Sequence, residues 1–153
     1  MNHIRIIFST LCFWVLLLTT QAQDAIFHKY EDAKGVSTVF ISKTMLRMMS
    51  NSNIGNIKIT SVAGKLDGMR ILNCDKPALA TQIGQDIKRM LKTEGFEVVM
   101  QINESGENTI IYQKALPKKR NTFSLLITEK KELSFISISG TITLSDISKI
   151  TNK

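Results

Sequence analysis

The spacing of apolar side chains in residues 69–100 predicts a strand, a helix and a second strand, in that order. We expect the rest of the chain to be arranged around this segment. Its helix is predicted from apolar residues that recur every three or four positions and therefore share one face. Those residues are Leu79, Ile83, Ile87, Met90 and Leu91. Asp75 is predicted to cap the helix and Gly95 to end it, because aspartate accepts bonds from free amides and glycine adopts positive φ. Alternating apolar residues then predict a half-buried strand from residue 96 to 102.

Shorter elements are predicted on the N-terminal side of this unit. Residues 24–33 fit a short helix and residues 36–41 a strand. Ser42 is placed to cap a second short helix, because serine is a favoured N-cap residue. Three methionines at i, i+3 and i+4 are expected to form the inward face of that helix. They are Met45, Met48 and Met49.

After residue 102 the chain alternates short polar turns with strands of period two. The turns are residues 104–107, 117–121 and 129–132. Consecutive strands joined by turns this short pair antiparallel. Period two also suggests one sheet face under helices and one in water. The prediction is a single α+β domain with a mainly antiparallel sheet, a β-α-β unit followed by a β-meander, and helices packed on one face.

The N-terminal segment is typical of a secretory signal peptide. Arg5 gives a positive start, residues 6–18 are almost wholly apolar, and small residues predict a cut after Ala22. The apolar run is shorter than the roughly 20 residues that a membrane-spanning helix needs. We therefore expect residues 1–22 to be removed and residues 23–153 to form one domain, exported to the periplasm or secreted, without a transmembrane span.

Charge and cysteine content narrow the expected partners. The chain has 20 Lys and Arg against 13 Asp and Glu, a formal net charge of +7. For an exported protein this charge favours an anionic lipid or polysaccharide over nucleic acid as partner, with plain solubility as the simpler explanation. An envelope protein is the other expected kind of partner. Cys74 is the single cysteine after the predicted cut, so no intramolecular disulfide can form. No phosphate-binding or cofactor motif is present in the sequence, and no cofactor is predicted.

Residues 27–49, FHKYEDAKGVSTVFISKTMLRMM, resemble the opening of an exported bacterial family catalogued as domain of unknown function 4252 (DUF4252). The shared features are a short helix, a Lys-Gly pair, a strand ending in Ile-Ser-Lys, and a helix rich in Met and Leu. The later GMRILNC, residues 68–74, is similar to the family's second half. The resemblance implies an envelope-directed protein of Gram-negative bacteria with no established activity and no catalytic residues. Some members are lipoproteins, but Cys12 lies inside the apolar run, where a lipidated cysteine does not belong.

Two chemical alternatives to a binding protein are open from the sequence. Cys74 and His28 would supply a nucleophile and a base for a small thiol enzyme or hydrolase. A small buried cysteine just before a helix is the simpler interpretation. The thioethers of Met45, Met48 and Met49 would suit a soft metal such as Cu(I), although the same spacing serves a core. No catalytic residue and no metal ligand is assigned on this basis.

Two surfaces are the candidate binding sites. The turn at Lys118, Lys119 and Arg120 is the densest positive cluster, with an ordinary solvated turn as the alternative. Three apolar residues fall in the outward phase of the predicted meander, one per strand, and aligned registers would join them in a stripe. They are Val99, Ile111 and Leu126. The alternative is that they are scattered single apolar residues, which are normal on a surface. The predicted function is therefore a non-catalytic, exported cell-envelope protein that binds a protein or an anionic envelope component.

Overall fold

The computed structural model describes residues 22–48, 53–54, 57–58 and 62–151. The elements are α1 (Ala22–Tyr30), β1 (Val36–Ser42), α2 (Lys43–Met48), β2 (Asn53–Ile54), β3 (Ile57–Lys58), a 3-10 turn (Ala63–Lys65), β4 (Leu66–Cys74), α3 (Pro77–Thr93), β5 (Glu97–Glu104), β6 (Glu107–Leu116), β7 (Arg120–Glu129), β8 (Glu132–Gly140) and α4 (Leu144–Thr151). Most of the predicted signal peptide, residues 1–21, lies outside the described residues, as does Met49.

The main sheet has six strands in the order β1-β4-β8-β7-β6-β5, and every neighbouring pair is antiparallel. Strands β5 to β8 lie side by side in chain order, as their short turns require. Strand β4 and strand β5, which α3 connects, are separated by three other strands. The α+β class and the mainly antiparallel sheet are confirmed. Among the described helices, none is long and apolar enough to cross a membrane.

Helix α3 has the predicted apolar face. Ile83, Ile87 and Leu91 are fully buried, and Gly95 ends the helix with a φ of +76°. The predicted cap is wrong: the N-cap residue is Lys76, which makes no side-chain cap bond, and the first helical residue is proline. Because proline has no amide hydrogen to satisfy, an aspartate cap is less needed at this end.

Both faces of the sheet are covered. Helices α1 and α3 pack on one face, here called the helix face, over a core that includes Leu126 and Phe135. We expected the other face to meet water, but short elements cover it through residues such as Leu46 of α2 and Ile147 of α4. The physical reason is that β6, β7 and β8 carry apolar residues in both strand phases, so neither face can be left in water.

The predicted apolar stripe is not a surface of this structure. Ile111 pairs with Leu125, whereas Leu126 pairs with Ile110, so Ile111 and Leu126 point to opposite faces. Each is 1% exposed. Val99 is partly buried against the core opposite the helix face. The alternation of side chains within each strand was predicted correctly. That alternation does not determine which residues of neighbouring strands lie on the same face of the sheet.

The methionines of α2 face outward, contrary to the prediction. Leu46 is the buried residue of this helix, whereas Met45 is 48% and Met48 77% exposed. The predicted cap is confirmed, because the Met45 amide donates to Ser42 Oγ at 3.3 Å. A six-residue helix makes fewer than two turns, so one buried leucine is enough to anchor it.

Helix α4 begins with a reciprocal pair of capping bonds. The Asp146 amide donates to Thr143 Oγ1 at 3.3 Å, and the Thr143 amide donates to Asp146 Oδ2 at 3.0 Å. Lys65 Nζ also donates to Asp146 Oδ1 at 2.9 Å. The bond from Lys65, together with those from Thr143, lowers the pKa of the Asp146 carboxyl. Burial of the carboxyl acts in the opposite direction but is outweighed. Thr143 is therefore the N-cap residue of α4.

Replacing Ile111 tests the finding that both sheet faces are buried. We expect Ile111→Thr to lower the free energy of unfolding by about 2–4 kcal/mol, because it removes buried methylene groups and buries a hydroxyl. Val98→Thr is the matched control, since Val98 is 57% exposed on a neighbouring strand. Urea denaturation followed by circular dichroism measures both. Equal stabilities of the two variants would contradict the described packing.

Candidate binding cavity

The helix face is apolar at one end and polar at the other. In β8, Phe135 is followed in the same phase by Ser137 and Ser139, and β7 has Thr122 and Ser124 in its helix-face phase. The register places Ser124 opposite Ser137 and Thr122 opposite Ser139. The polar halves of two strands therefore meet at one end of the sheet, where they line a cavity.

This polar cavity has a volume of about 440 Å³. The start of α1, the residues after α3 and the strands β1, β4, β6, β7 and β8 line it. The side chains that define its chemistry are Phe40, Arg70, Lys114, Arg120, Thr122 and Ser139. Small-molecule sites have volumes of about 300–1,000 Å³, so the cavity has room for a small ligand.

Three ion pairs surround the cavity. They are Arg70 with Asp24 at 3.1 Å, Lys114 with Glu94 at 3.2 Å and Arg120 with Asp67 at 2.8 Å. All six residues line the cavity, and each cation has a carboxylate beside it. The lining therefore contains six charged side chains whose formal charges cancel.

Asp67 has the strongest set of partners in this group. Lys43 Nζ donates to Asp67 Oδ1 at 2.6 Å and lowers the pKa of the Asp67 carboxyl, and Arg120 adds to the effect, while partial burial opposes it. Asp67 thus remains ionised at neutral pH and holds Arg120 in place.

Aromatic rings hold two of the cations. The guanidinium of Arg70 lies 5.6 Å from the ring centre of Phe27 and 5.0 Å from that of Phe40. Lys114 Nζ lies 5.7 Å from the ring centre of Phe96. Such contacts favour a cation over the negative ring face. Phe40 nevertheless remains 64% exposed, which is unusual for a phenylalanine.

The polar strand residues divide into a bonded and a free set. Gln23 of α1 donates to Ser124 Oγ at 3.1 Å and accepts from Ser137 Oγ at 3.0 Å. Thr122 is only 8% exposed, and within the described part of the chain neither its hydroxyl nor that of Ser139 has a hydrogen-bond partner. These two hydroxyls are available to a molecule in the cavity.

The basic turn between β6 and β7 forms the rim of the cavity. Lys118 and Lys119 have φ values of +60° and +57°, and the residues on either side, Leu116 and Arg120, line the cavity. Both lysines are exposed, and no ion pair of either is present among residues 22–48, 53–54, 57–58 and 62–151. The structure thus brings Arg120 into the cavity. Lys118 and Lys119 do not line it, but their turn joins two strands that do. The candidate residues Val99, Ile111 and Leu126 do not line it.

The thiol alternative receives no geometric support. Cys74 is 2% exposed within the core of the helix face, and its Sγ donates weakly to the Lys76 carbonyl at 3.6 Å. His28 is exposed on α1 and bonds to Glu31 at 3.1 Å. The described part of the chain holds no group of three or more His, Cys, Asp or Glu side chains placed to bind a metal ion.

Sequence reasoning missed most of this cavity. It identified Arg120 from the density of positive charge but gave no role to Arg70, Thr122 or Ser139. A usable signal was present, because the helix-face phase of β8 changes from apolar to polar along the strand, whereas those of β4 and β7 change from polar to apolar. Only the pairing register of the strands shows that these changes lie at the same end of the sheet.

Residues 30–150 match the family model described as Domain of unknown function (DUF4252). The chain belongs to the DUF4252 family. The matched range of this DUF4252 protein holds the strands that line the cavity, whereas Gln23 and Asp24 precede it. No curated protein matches the chain.

Thiol labelling tests whether Cys74 is buried, which is the observation that speaks against the thiol alternative. In a Cys12→Ser background, we expect Cys74 to react with Ellman's reagent only when urea unfolds the protein, because the native thiol is buried. Met48→Cys in the same background supplies an exposed control thiol that reacts at once. Rapid labelling of native Cys74, at a rate near that of the control, would reopen the enzyme interpretation.

Proposed function

We propose that this protein is an exported, non-catalytic binding module, and that its polar cavity and basic turn hold an anionic component of the cell envelope. The observation that carries the proposal is the contrast between two sets of cations. The cations inside the cavity are paired, whereas Lys118 and Lys119 are exposed at its rim and form no ion pair within the described part of the chain. Free cations beside a polar cavity suit a ligand with negative charge.

The overall charge supports an anionic partner. The chain has a formal net charge of +7, and the predicted signal peptide accounts for only one of its 20 lysines and arginines, Arg5. A positive protein gathers anionic molecules over distances of about a Debye length, roughly 8 Å at physiological salt. Local contacts at the turn would then select the orientation of the ligand.

The cavity carboxylates favour binding over catalysis. A general acid at neutral pH needs a carboxyl whose pKa is raised toward the operating pH. The pKa of Asp67 is instead lowered by Lys43 and Arg120, and Asp24 and Glu94 each lie beside a basic side chain. These carboxylates therefore serve to position basic side chains around the cavity.

Export would also bring the mature N-terminus to the cavity. Cleavage after Ala22 would leave Gln23 as the first residue, and the Gln23 side chain already bonds to Ser124 and Ser137. A new α-ammonium group would then lie near the cavity and add one positive charge. We expect protein recovered from an expressing Gram-negative host to be periplasmic and to begin at Gln23. Intact-mass measurement finding Met1 as the first residue would contradict export.

Charge reversal at two equivalent turns tests the site. We expect Lys118→Glu with Lys119→Glu to weaken binding of the full mature chain to polygalacturonate at least tenfold, because two free cations become repulsive. The matched control is Lys130→Glu with Lys131→Glu, the same charge change in the basic turn at the other end of β7. Binding is measured by co-sedimentation at low and at physiological salt, and phosphatidylglycerol vesicles form a second arm.

The comparison separates a local site from general electrostatics. A loss confined to the Lys118 and Lys119 variant supports the proposed site. Equal losses in both variants would mean that only net charge matters, and the proposal would fail. Wild-type protein that binds neither the polymer nor the vesicles would also refute it.

A further inference from the structure

Resting on the proposed function, we infer that the polar cavity binds a sugar ring, so that the ligand is an acidic saccharide whose charge lies at the basic turn. The inference concerns what fills the cavity, whereas the proposed function concerns the charge at its rim. It depends on three features of the lining: paired charges, free hydroxyls and an exposed aromatic ring.

The paired charges argue against a bare anion in the cavity. A phosphate or carboxylate that entered would have to compete with Asp24, Asp67 or Glu94 for a cation that is already bonded. Exchanging one ion pair for another brings little net gain. A neutral group rich in hydroxyls needs no such exchange, because it can bond to the ion pairs as they stand.

The free hydroxyls match a ligand that both donates and accepts. Thr122 and Ser139 each offer one O–H donor and two acceptor lone pairs, and the register places them opposite each other. The carboxylates of Asp24 and Glu94 offer further lone pairs on the cavity wall. Neighbouring hydroxyls of a sugar ring present donors and acceptors together, which this lining can satisfy.

Phe40 supplies the apolar surface that a sugar ring also needs. Its side chain is 64% exposed and lines the cavity, and Arg70 lies 5.0 Å from its ring centre. An aromatic face is negative and attracts the slightly positive C–H groups of a pyranose. The cavity therefore combines an aromatic platform with a polar wall.

The two lysines of the basic turn are the reason to expect an acidic ligand. Lys118 and Lys119 lie on the turn between two lining residues, Leu116 and Arg120. A uronic acid residue adjoining the bound ring would place its carboxylate at these lysines. Neutral and acidic sugars should thus share the cavity, and only the acidic one should gain from the turn.

A matched pair of disaccharides tests this division. Digalacturonic acid and galactobiose differ in that carboxylates replace hydroxymethyl groups. Isothermal titration calorimetry with the full mature chain, at low and at physiological salt, should show both sugars binding and the acid binding about tenfold more tightly at low salt. Raising the salt, or introducing Lys118→Glu with Lys119→Glu, should remove that advantage and leave galactobiose unchanged.

Removal of the two free hydroxyls tests the cavity itself. Thr122→Val with Ser139→Ala should weaken both sugars by about tenfold or more, since each lost hydrogen bond accounts for roughly fivefold. Thr128→Val is the matched control, because Thr128 lies in the same phase at the other end of β7 and bonds to the Asn108 carbonyl. Circular dichroism and urea midpoints confirm that the variants are folded.

Each outcome has a distinct meaning. Binding of polygalacturonate or phosphatidylglycerol vesicles without binding of either disaccharide would overturn the sugar inference and leave the proposed function standing. Disaccharide binding that Thr122→Val with Ser139→Ala does not weaken would place the sugar elsewhere and also overturn it. Absence of binding to all four probes would refute the inference and the proposed function together.

Discussion

The need to cover both faces of one antiparallel sheet controls the rest of this structure. Its central strands carry apolar side chains in both phases, so each face must be buried under another layer. On the helix face, α1 and α3 cover the apolar end, around Phe135 and Leu126. The cavity lies where this coverage gives way to the polar ends of β7 and β8. Its position thus follows from where the apolar residues of the strands stop.

Ion pairs and the hydrogen bonds of one side-chain amide hold the walls of that polar end together. Gln23 joins α1 to β7 and β8, and the Arg70–Asp24 pair joins α1 to β4. The partly buried Asp67 connects Arg120 to Lys43. Because the folded pKa of Asp67 is depressed, its contribution to stability is present above its unfolded pKa and is lost as pH falls through the folded pKa. The contacts of Asp67 are therefore fully stabilising at neutral pH and weaken as the pH falls below its unfolded pKa.

The sequence predicted individual elements better than their contacts. The face of α3, the end at Gly95 and the meander from β5 to β8 all follow from local spacing and turn chemistry. Assigning Ile111 and Leu126 to one surface failed because alternation within a strand does not determine which phases of neighbouring strands meet. The prediction that the methionines of α2 face inward was also wrong. Burial of Leu46 alone is enough to hold so short a helix against the sheet. The cavity was beyond reach, because it joins residues from strands that only the register aligns.

Membership of the DUF4252 family assigns no reaction and no ligand. The proposed function therefore depends on the cavity. The proposed ligand contacts lie at the polar end of the helix face. Backbone amide shifts in a ¹H–¹⁵N correlation spectrum, recorded as digalacturonic acid is added to the mature protein, test this most directly. We expect shifts concentrated at Arg70, Lys119, Thr122 and Ser139. Shifts centred instead on the exposed apolar residues Val39 and Met48, with the cavity amides unchanged, would contradict this placement.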